Sequence, residues 1–315
     1  PAILPSMPSN MLPVKQLEKS EHSIKLAFAN HGYNEAITYS FIDKEIEATL
    51  HENPDAIELL NPIASQMNVM RSKLWANHLD TLTYNINRGQ SQIRLFEIAP
   101  IYQKDKSGYK EILMVSGLVY GDSTEEQWSE KKRQVDFYDV KGDIESISIN
   151  SLEFKVAKTN TPQALHPGQA AEIYHNDKSV GWLGKLHPAW QQHYELTNNT
   201  FIFEMTLASL VNQSKNKIEI PGKYNAVRRD IALVVDKKIS VGDMVNAVKL
   251  EKMLRIVDFY PFDIYEGNGI DEDKKSVAFL ILMQDTYKTL EDNEVNNLVE
   301  SILQLLQNKF GAKLR

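Results

Sequence analysis

Residues 223–236 read KYNAVRRDIALVVD, and this stretch marks the start of a folding unit. It contains one apolar run, Ile231–Val235, with charged residues on both sides. A short apolar run bounded by charge is typical of a buried strand, which we predict over Asp230–Asp236. The next segment, SVGDMVNAVKL, offers Ser240 as a helix N-cap. Its apolar residues share one helical face: Met244, Val245 and Val248. The sequence therefore predicts a strand followed by a helix.

The rest of the chain continues this pattern. Two further strand patterns are separated by the turn-rich segment NGIDEDK: residues 254–267 and 275–283. Residues Asp292–Phe310 have the spacing of an amphipathic helix. Its apolar stripe consists of Val295, Leu298, Val299, Ile302, Leu305 and Leu306. The tail AKLR fits a short edge strand. The order β-α-β-β-α-β is the ferredoxin-like plan, so we predict a ferredoxin-like domain over residues 223–315.

Four separated segments of this domain resemble a known family. In chain order they are YNAVRRDIALVV, FDIYEGNG, KKSVAF and FGAKLR. They resemble the ferredoxin-fold anticodon-binding domain that ends the β chains of bacterial phenylalanyl-tRNA synthetases. A ferredoxin-like fold hosts many functions, so the expectation of RNA binding rests on these residues and not on the fold.

Length and composition indicate an ordinary globular protein. The 315 residues leave room for about two domains. The chain is 42% hydrophobic and 24% charged, which is enough apolar material for a core. No apolar run approaches the roughly 18 residues of a membrane span, and no secretory signal opens the chain. The absence of cysteine excludes disulfides, thiolate metal sites and a cysteine nucleophile.

The net charge restricts how nucleic acid could bind. The formal net charge is −7, and residues 222–315 carry 14 Lys and Arg against 15 Asp and Glu. Contacts to phosphate therefore require a local basic patch and not a basic domain. Candidates for that patch are Lys223, Arg228, Arg229, Lys274 and Lys275. The alternative interpretation of each is an ordinary solvated charge.

The chain before residue 223 divides into three parts by composition. Residues 1–13 contain four prolines and predict an extended linker. Residues 214–222 are polar, end in Pro-Gly and predict a second linker. Residues 14–213 between them are predicted to form a separate core domain.

The core domain opens with recognisable helix and strand patterns. Val14–His31 predicts an amphipathic helix that stops at Gly32. EAITYSF, residues 35–41, then predicts a strand. On the next helix pattern, three leucines are interpreted as ordinary packing residues: Leu74, Leu79 and Leu82.

The core also resembles the same family. GYNEAITYSFID, LFEIAPIY and LHPGQAAEIYHNDKSVGWLGKLHP are similar to the synthetase-like core of these β chains. The resemblance thus runs from about Gly32 to Arg315. It implies an α+β protein, with a class II aminoacyl-tRNA synthetase-like antiparallel sheet core before the ferredoxin-like domain. Because the chain opens on Pro1 and not on Met, the resemblance also implies the C-terminal part of a longer β chain.

The core lacks the residues that handle ATP in catalytic class II chains. Those chains carry an Arg-x-Glu signature here and a later Gly-rich segment ending in Arg, whose guanidinium groups hold phosphate. This sequence has Phe96-Glu97-Ile98 instead, and Arg94 precedes the phenylalanine. There is no Walker loop and no Gly-x-Ser-x-Gly elbow, and the only GxG, at Gly267 and Gly269, lies between two strand patterns. We therefore expect a non-catalytic core.

Two groups of residues raise the question of a metal site. Asp136, Asp139 and Asp143 do not have calcium-loop spacing, and we interpret them as structural, with Asp139 or Asp143 satisfying backbone groups near a helix start. His166 and His187 have no second histidine at zinc spacing, and the chain has no cysteine. We predict no metal site.

The resemblance also implies an anticodon site. In the family, the first anticodon base meets three motifs of the terminal domain, which correspond here to Ala232, Asp263, Tyr265 and Ser276. Asp263 could accept hydrogen bonds from a guanine, Tyr265 could stack on the base, and Ala232 would leave room. Strand alternation puts Asp263 and Tyr265 on one face. From the residues alone, an exposed sheet face with a hydrogen-bonded tyrosine is the preferred interpretation.

The implied protein is a non-catalytic β-subunit portion of a cytoplasmic phenylalanyl-tRNA synthetase. It would support a catalytic α subunit in an (αβ)2 heterotetramer and bind the tRNA(Phe) anticodon, with no membrane partner. The resemblance implies no cofactor for this part, whereas the whole enzyme would use ATP and Mg²⁺. Two alternatives stay open. One is a ferredoxin-like module that binds a small metabolite, fused to a degenerate enzyme core. The other is a self-sufficient enzyme, which the missing motifs disfavour.

Overall fold

A computed structural model describes residues 20–106, 108–148, 152–156, 160–211, 222–251 and 253–315. These residues group into two compact units that divide between residues 211 and 222. The linker predicted over residues 1–13 lies outside the described residues, as does the one over 214–222 apart from its last residue. In the described part of the chain, no helix is long and apolar enough to cross a membrane.

The first unit combines short helices with a large sheet. Its helices are α1 (Glu21–Asn30), α2 (Lys44–Thr49), α3 (Trp75–Ile86), α4 (Phe137–Ile147), α5 (Pro188–His193) and α6 (Ala208–Val211). Its strands are β1 (Asn34–Glu35), β2 (Phe41–Ile42), β3 (Val69–Met70), β4 (Ile93–Asp105), β5 (Gly108–Tyr120), β6 (Glu153–Val156), β7 (Leu165–His175), β8 (Lys178–Leu186) and β9 (Thr200–Thr206).

Within the described residues, seven of these strands form one sheet in the order β1-β4-β5-β9-β8-β7-β6. β1 pairs with β4 in parallel, and every other neighbouring pair is antiparallel. β2 and β3 form a separate antiparallel pair. The predicted antiparallel sheet of the core domain is therefore confirmed.

Apolar side chains of the central strands point to both faces of this sheet, and helices pack on both faces. On one face, Leu118 of β5 belongs to the cluster that contains Leu79 and Leu82 of α3. On the other face, Val119 belongs to the cluster that contains Phe28 of α1. Leu79 and Leu82 are fully buried, as is Leu74 just before α3, which confirms that these leucines pack in the core.

The first helix ends where the sequence predicts. α1 follows Ser20, whose hydroxyl oxygen accepts a hydrogen bond from the amide of Ser23 at 3.2 Å. It stops at the turn containing Gly32, which has a positive φ of 80°. Residues 14–19 of the predicted helix lie outside the described residues.

The strand predicted over residues 35–41 is wrong in its middle. Its ends belong to the short strands β1 and β2, which pair with different partners. Between them, Thr38 bonds to the carboxylate of Glu97 through its amide at 3.2 Å and its hydroxyl at 2.7 Å. The guanidinium of Arg71 donates to the carbonyl oxygen of Tyr39 at 3.2 Å. Because side chains form hydrogen bonds with the Thr38 amide and the Tyr39 carbonyl, a continuous strand ladder does not form.

The second unit has the ferredoxin-like order. Its strands are β10 (Val227–Asp236), β11 (Ile256–Tyr265), β12 (Lys274–Met283) and β13 (Lys313–Leu314), and its helices are α7 (Val241–Leu250) and α8 (Asp292–Phe310). The sheet order is β11-β12-β10-β13, and all pairs are antiparallel. The predicted plan is confirmed. β10 begins three residues before the predicted Asp230, because Arg228 and Arg229 continue the pairing with β12.

The two helices cover one face of this four-stranded sheet. Ile231, Leu233 and Val235 of β10 are buried against apolar residues of α7 and α8. We call this side the helix face. The opposite side, which carries Ala232 of β10 and Ala278 of β12, we call the open face. Residues of β10 therefore alternate between a packed and a more accessible environment.

Candidate nucleic-acid interface

The four residues implied by the resemblance lie on two adjacent rows of the open face. Across one row, Ala232 pairs with Ala278, and Ala278 pairs with Asp263. Across the next row, Ser276 pairs with Tyr265. Neighbouring positions on one face of a strand are about 7 Å apart. The register therefore brings all four predicted residues into one patch.

A β-bulge in β11 determines which face Asp263 and Tyr265 occupy. Pro261 pairs with Phe279, a buried residue of the helix face, whereas Asp263 pairs with a residue of the open face. Phe262 is the extra residue between these two pairs. A strand without this insertion would alternate from Pro261 and direct Asp263 and Tyr265 toward the helix face.

The carboxylate of Asp263 is available for a ligand. The Asp263 side chain is exposed and makes no hydrogen bond or ion pair with any residue that the structure describes. An ionised carboxylate accepts hydrogen bonds through two oxygens and donates none. This position can therefore take two neighbouring N–H donors from one ligand edge.

The ring of Tyr265 is held in a fixed position. Its hydroxyl donates to the carbonyl oxygen of Asn268 at 3.3 Å. A Cβ added at Gly267 would lie 3.0 Å from the same hydroxyl oxygen, so a side chain there would press on the ring. From the opposite edge of the sheet, the guanidinium carbon of Arg315 lies 5.1 Å from the ring centroid. The amide of Arg315 donates to the carbonyl oxygen of Ala232 at 2.9 Å, which anchors this contact.

Ser276 is the least accessible of the predicted residues. It is only 3% exposed, and its strand lies between those that lead to Arg315 and Tyr265. A ligand could reach its hydroxyl only if a neighbouring side chain moved. Ala232 is half-buried and contributes space because its methyl group is short.

Two of the predicted cations lie on the open face, and each is already paired. Arg228 forms a bidentate pair with Asp230, with nitrogen–oxygen distances of 2.9 and 3.0 Å. Lys274 pairs with Asp271 and also lies opposite Asp236 in the register. These pairs are solvent-exposed, so their partners can be exchanged for phosphate at small cost.

The other predicted cations lie elsewhere. Arg229 is in register with the helix face, and its guanidinium is 3.4 Å from the carboxylate of Asp292. Lys275 donates to the carbonyl oxygen of Ile239 at 2.7 Å, and burial lowers the pKa of its ammonium group. Lys223 is exposed and precedes β10. The structure therefore does not bring the five predicted cations into a single patch.

The open face also contains aromatic and basic residues that were not among the predicted contacts. Tyr260 and Phe262 are 43% and 51% exposed, and Arg315 lies over Tyr265. The sequence contains one signal that could have indicated these residues, Pro261, because proline within a strand indicates an edge strand or a bulge. That signal predicts a change of face but not the residue at which it occurs.

In the first unit, arginines near the expected ATP-handling position are used for internal contacts. Arg94 forms an ion pair with Asp143 at 2.6 Å, and Asp143 also accepts from the hydroxyl of Tyr33 at 2.9 Å. The buried Arg71 lies 3.4 Å from the carboxylate of Glu97. Both guanidinium groups therefore have carboxylate partners within the unit.

The acidic and histidine residues considered for metal binding have local structural contacts. Asp136 caps α4, and Asp139 accepts from the amide of Asp136 at 2.8 Å. The interpretation is confirmed with Asp139 in that role, and the carboxylate of Asp143 is instead bound by Arg94 and Tyr33. His166 and His187 accept from backbone amides two residues later. Among the described residues, no group of three or more potential ligands is placed to hold a metal ion.

Comparisons with known proteins agree with this arrangement. Residues 1–207 match the family model for the phenylalanyl tRNA synthetase beta chain CLM domain, and residues 222–315 match that for the ferredoxin-fold anticodon binding domain. The phenylalanine–tRNA ligase beta subunit of Nitrosospira multiformis is 39% identical over 100% of this chain and 39% of its own length. That of Chromobacterium violaceum is 38% identical, over 100% of this chain and 40% of its own length.

The chain thus spans about two fifths of the length of these relatives. Among solved structures, pyrrolysyl-tRNA synthetase from Desulfitobacterium hafniense aligns with 60% of this chain and 66% of its own, at a TM-score of 0.45 and 17% identity. That similarity is too weak to bear on the assignment. The two family models account for most of the sequence. The chain belongs to the phenylalanyl-tRNA synthetase β-chain family.

Proposed function

We propose that this chain is the part of a phenylalanine–tRNA ligase β subunit that binds the anticodon of tRNA(Phe), and that it does so on the open face. The observation that carries the proposal is the unpaired carboxylate of Asp263 beside the fixed ring of Tyr265. The description of the matched terminal domain supports anticodon binding, and the names of the relatives support the ligase.

An unpaired base suits this patch for physical reasons. Bases of a single-stranded loop can stack on an aromatic ring and present their edges to polar groups. In this proposal, the first anticodon base stacks on Tyr265 and its amino and imino groups donate to Asp263. Ala232 and Ala278 leave the space that the base occupies. Arg315 either moves aside or covers the second face of the base, where a guanidinium is favourable.

Phosphate contacts would come from the cations on the same face. Arg228 and Lys274 are paired with carboxylates through exposed contacts, which contribute little to stability. A phosphate that replaces Asp271 at Lys274 would release this carboxylate to water, and Arg228 can contact a phosphate through Nη1, which takes no part in its pair with Asp230. Lys223 is an exposed third candidate on the approach to β10.

We further propose that the first unit is a non-catalytic scaffold for the catalytic α subunit. The whole (αβ)2 heterotetramer would attach phenylalanine to its tRNA in the cytoplasm, using ATP and Mg²⁺. The internal pairing of Arg94 and Arg71 supports the absence of an ATP site in this unit. The alternative of a metabolite-binding module gains no support from the matched families.

The anticodon proposal can be tested with one tyrosine. Tyr265→Ala should weaken binding of the tRNA(Phe) anticodon stem-loop by about 1–3 kcal/mol, the usual contribution of one stacked base. Fluorescence anisotropy with the 315-residue chain measures this. Tyr109→Ala removes a 76% exposed tyrosine of the first unit and is the matched control. If Tyr265→Ala binds as tightly as the unsubstituted chain, the site is wrong.

A further inference from the structure

A second aromatic cluster lies beside the Asp263–Tyr265 patch on the open face. Its row is formed by Asp230, Leu280 and Tyr260, with Phe262 and Arg228 next to it. Leu280 is only 6% exposed although α7 and α8 pack on the other face. Tyr260 and Phe262 keep 43% and 51% of their surface exposed. The cluster therefore presents two exposed rings and a guanidinium next to the buried side chain of Leu280.

The bulge in β11 brings the Asp263–Tyr265 patch onto the same face as this cluster. Phe262 is the inserted residue between Pro261 and Asp263, and it has no counterpart in the register with β12. Its ring centroid lies 5.8 Å from the guanidinium carbon of Arg228, a residue of the open face. Alternation from Pro261 puts Phe262 on the open face, and the insertion then turns Asp263 to the same face beside it.

The polar members of the cluster fix each other and leave the rings free. Arg228 is held by Asp230 through two hydrogen bonds of 2.9 and 3.0 Å, which orient the guanidinium plane. Its side chain is nevertheless 57% exposed. A planar ligand can therefore stack on Phe262 with the guanidinium at its side, without breaking the Arg228–Asp230 pair.

We propose that this cluster binds a second unpaired nucleotide, the neighbour of the base at Asp263 and Tyr265. Phe262 supplies the stacking surface and Arg228 a cation–π contact. Because Arg228 and Asp230 occupy each other, the subsite accepts any base by stacking and does not select one through this pair. Phe262 and Tyr265 are three residues apart, at most about 10 Å along a strand, which two consecutive nucleotides can span.

The arrangement favours RNA over an added protein strand. β11 is an edge strand, but it carries two register irregularities and Pro261, which has no N–H to donate. Bulges and proline make an edge unsuitable for pairing with another strand. The exposed rings are instead continuous with the patch proposed for the anticodon base. This inference rests on the proposed function.

The test compares ring variants with modified RNA. The ligands are the tRNA(Phe) anticodon stem-loop and two versions with an abasic nucleotide on either side of the first anticodon position. The proteins are the unsubstituted chain, Phe262→Ala, Phe262→Trp and Tyr265→Ala. Phe262→Leu keeps an apolar side chain at this position and removes the ring, so it replaces the alanine variant if that variant unfolds.

We expect Phe262→Ala to lower affinity for the intact loop about tenfold, and Phe262→Trp to retain it. The abasic loop that lacks the base stacked on Phe262 should bind the unsubstituted chain about tenfold more weakly than the intact loop does. With that loop, Phe262→Ala should cause no further loss of affinity. If Tyr265→Ala weakens binding but Phe262→Ala does not, this inference fails and the proposed function stands. The inference also fails if Phe262→Ala weakens every loop by the same factor. If neither variant changes affinity, both are overturned.

Discussion

At the scale of single residues, the open face combines a free acceptor with a fixed ring. The carboxylate of Asp263 has no partner among the described residues, whereas the Tyr265 hydroxyl is bonded to Asn268. A free carboxylate discriminates strongly, because a base without matching donors leaves it desolvated and unpaired. Selectivity for the first base should therefore depend on Asp263 and stacking on Tyr265.

Asp263→Asn should reduce selectivity for the first anticodon base. An amide presents N–H donors where the carboxylate only accepts, so the advantage of a base with amino and imino donors falls by about 1–3 kcal/mol. The measurement compares dissociation constants for stem-loops that differ only in that base. Asp273→Asn makes the same charge change at another exposed position and should keep full selectivity. Equal selectivity of the unsubstituted chain and Asp263→Asn would contradict the assignment.

Glu204 shows a different residue-scale effect, inside the first unit. Burial raises the pKa of its carboxyl group to about 7 from an ordinary value of 4.5. One carboxyl oxygen accepts from the amide of Leu74 at 2.7 Å. The folded state holds this proton more tightly than the unfolded state. The stability that protonation of Glu204 contributes is therefore complete below pH 4.5. It is lost as the pH rises to about 7.

Glu204→Gln should remove that pH dependence. Between pH 5 and pH 8, the free energy of unfolding of the original protein should fall relative to the variant, by at most about 3 kcal/mol. Urea denaturation followed across this range measures the difference. Glu111→Gln, at an exposed position of β5, should behave like the original protein. A difference between Glu204→Gln and the original that is constant with pH would show that Glu204 is not the titrating group.

At the scale of elements, local signals predicted helices better than strand details. The bounds of α8, Asp292–Phe310, agree with the prediction because an apolar stripe and a following Gly311 are both local features. The bulge in β11 arises from its pairing with β12, which the sequence does not show beyond the hint of Pro261. The strand over residues 35–41 failed for a similar reason, since Glu97 is distant in sequence.

Gly311→Ala should destabilise the second unit by about 1 kcal/mol. Gly311 ends α8 with a φ of 65°, and an added Cβ would meet nothing within 4 Å, so the loss is backbone strain alone. Gly242 in α7 does not have a positive φ, and Gly242→Ala should stabilise by up to about 1 kcal/mol. Chemical denaturation of the two variants gives the comparison. Equal stability of Gly311→Ala and the original would rule out strain at this cap.

At the scale of the whole molecule, the predicted residues that lie together are those that family-specific motifs supplied. The four implied anticodon residues share one patch, whereas the five cations chosen by charge are spread over two faces and the approach to β10. Charge along a sequence does not indicate the face on which a residue lies. With a net charge of −7, non-specific attraction of the chain to RNA should be weak. Binding should therefore depend on the open face.

The chain alone should not activate phenylalanine. Its first unit uses Arg94 and Arg71 in internal ion pairs and offers neither guanidinium to ATP phosphates. An ATP–pyrophosphate exchange assay with phenylalanine should show no turnover, with an intact phenylalanine–tRNA ligase as the positive control. Phenylalanine-dependent exchange by the purified chain would overturn the non-catalytic assignment.

The most direct measurement is a map of the RNA contact surface on the protein. Chemical-shift changes can be followed in the labelled 315-residue chain as the tRNA(Phe) anticodon stem-loop is added. We predict that the largest changes fall on the open face, at Ala232, Asp263, Tyr265 and Ser276, together with Phe262. Changes centred on α7 and α8, or on the first unit, would contradict the central claim.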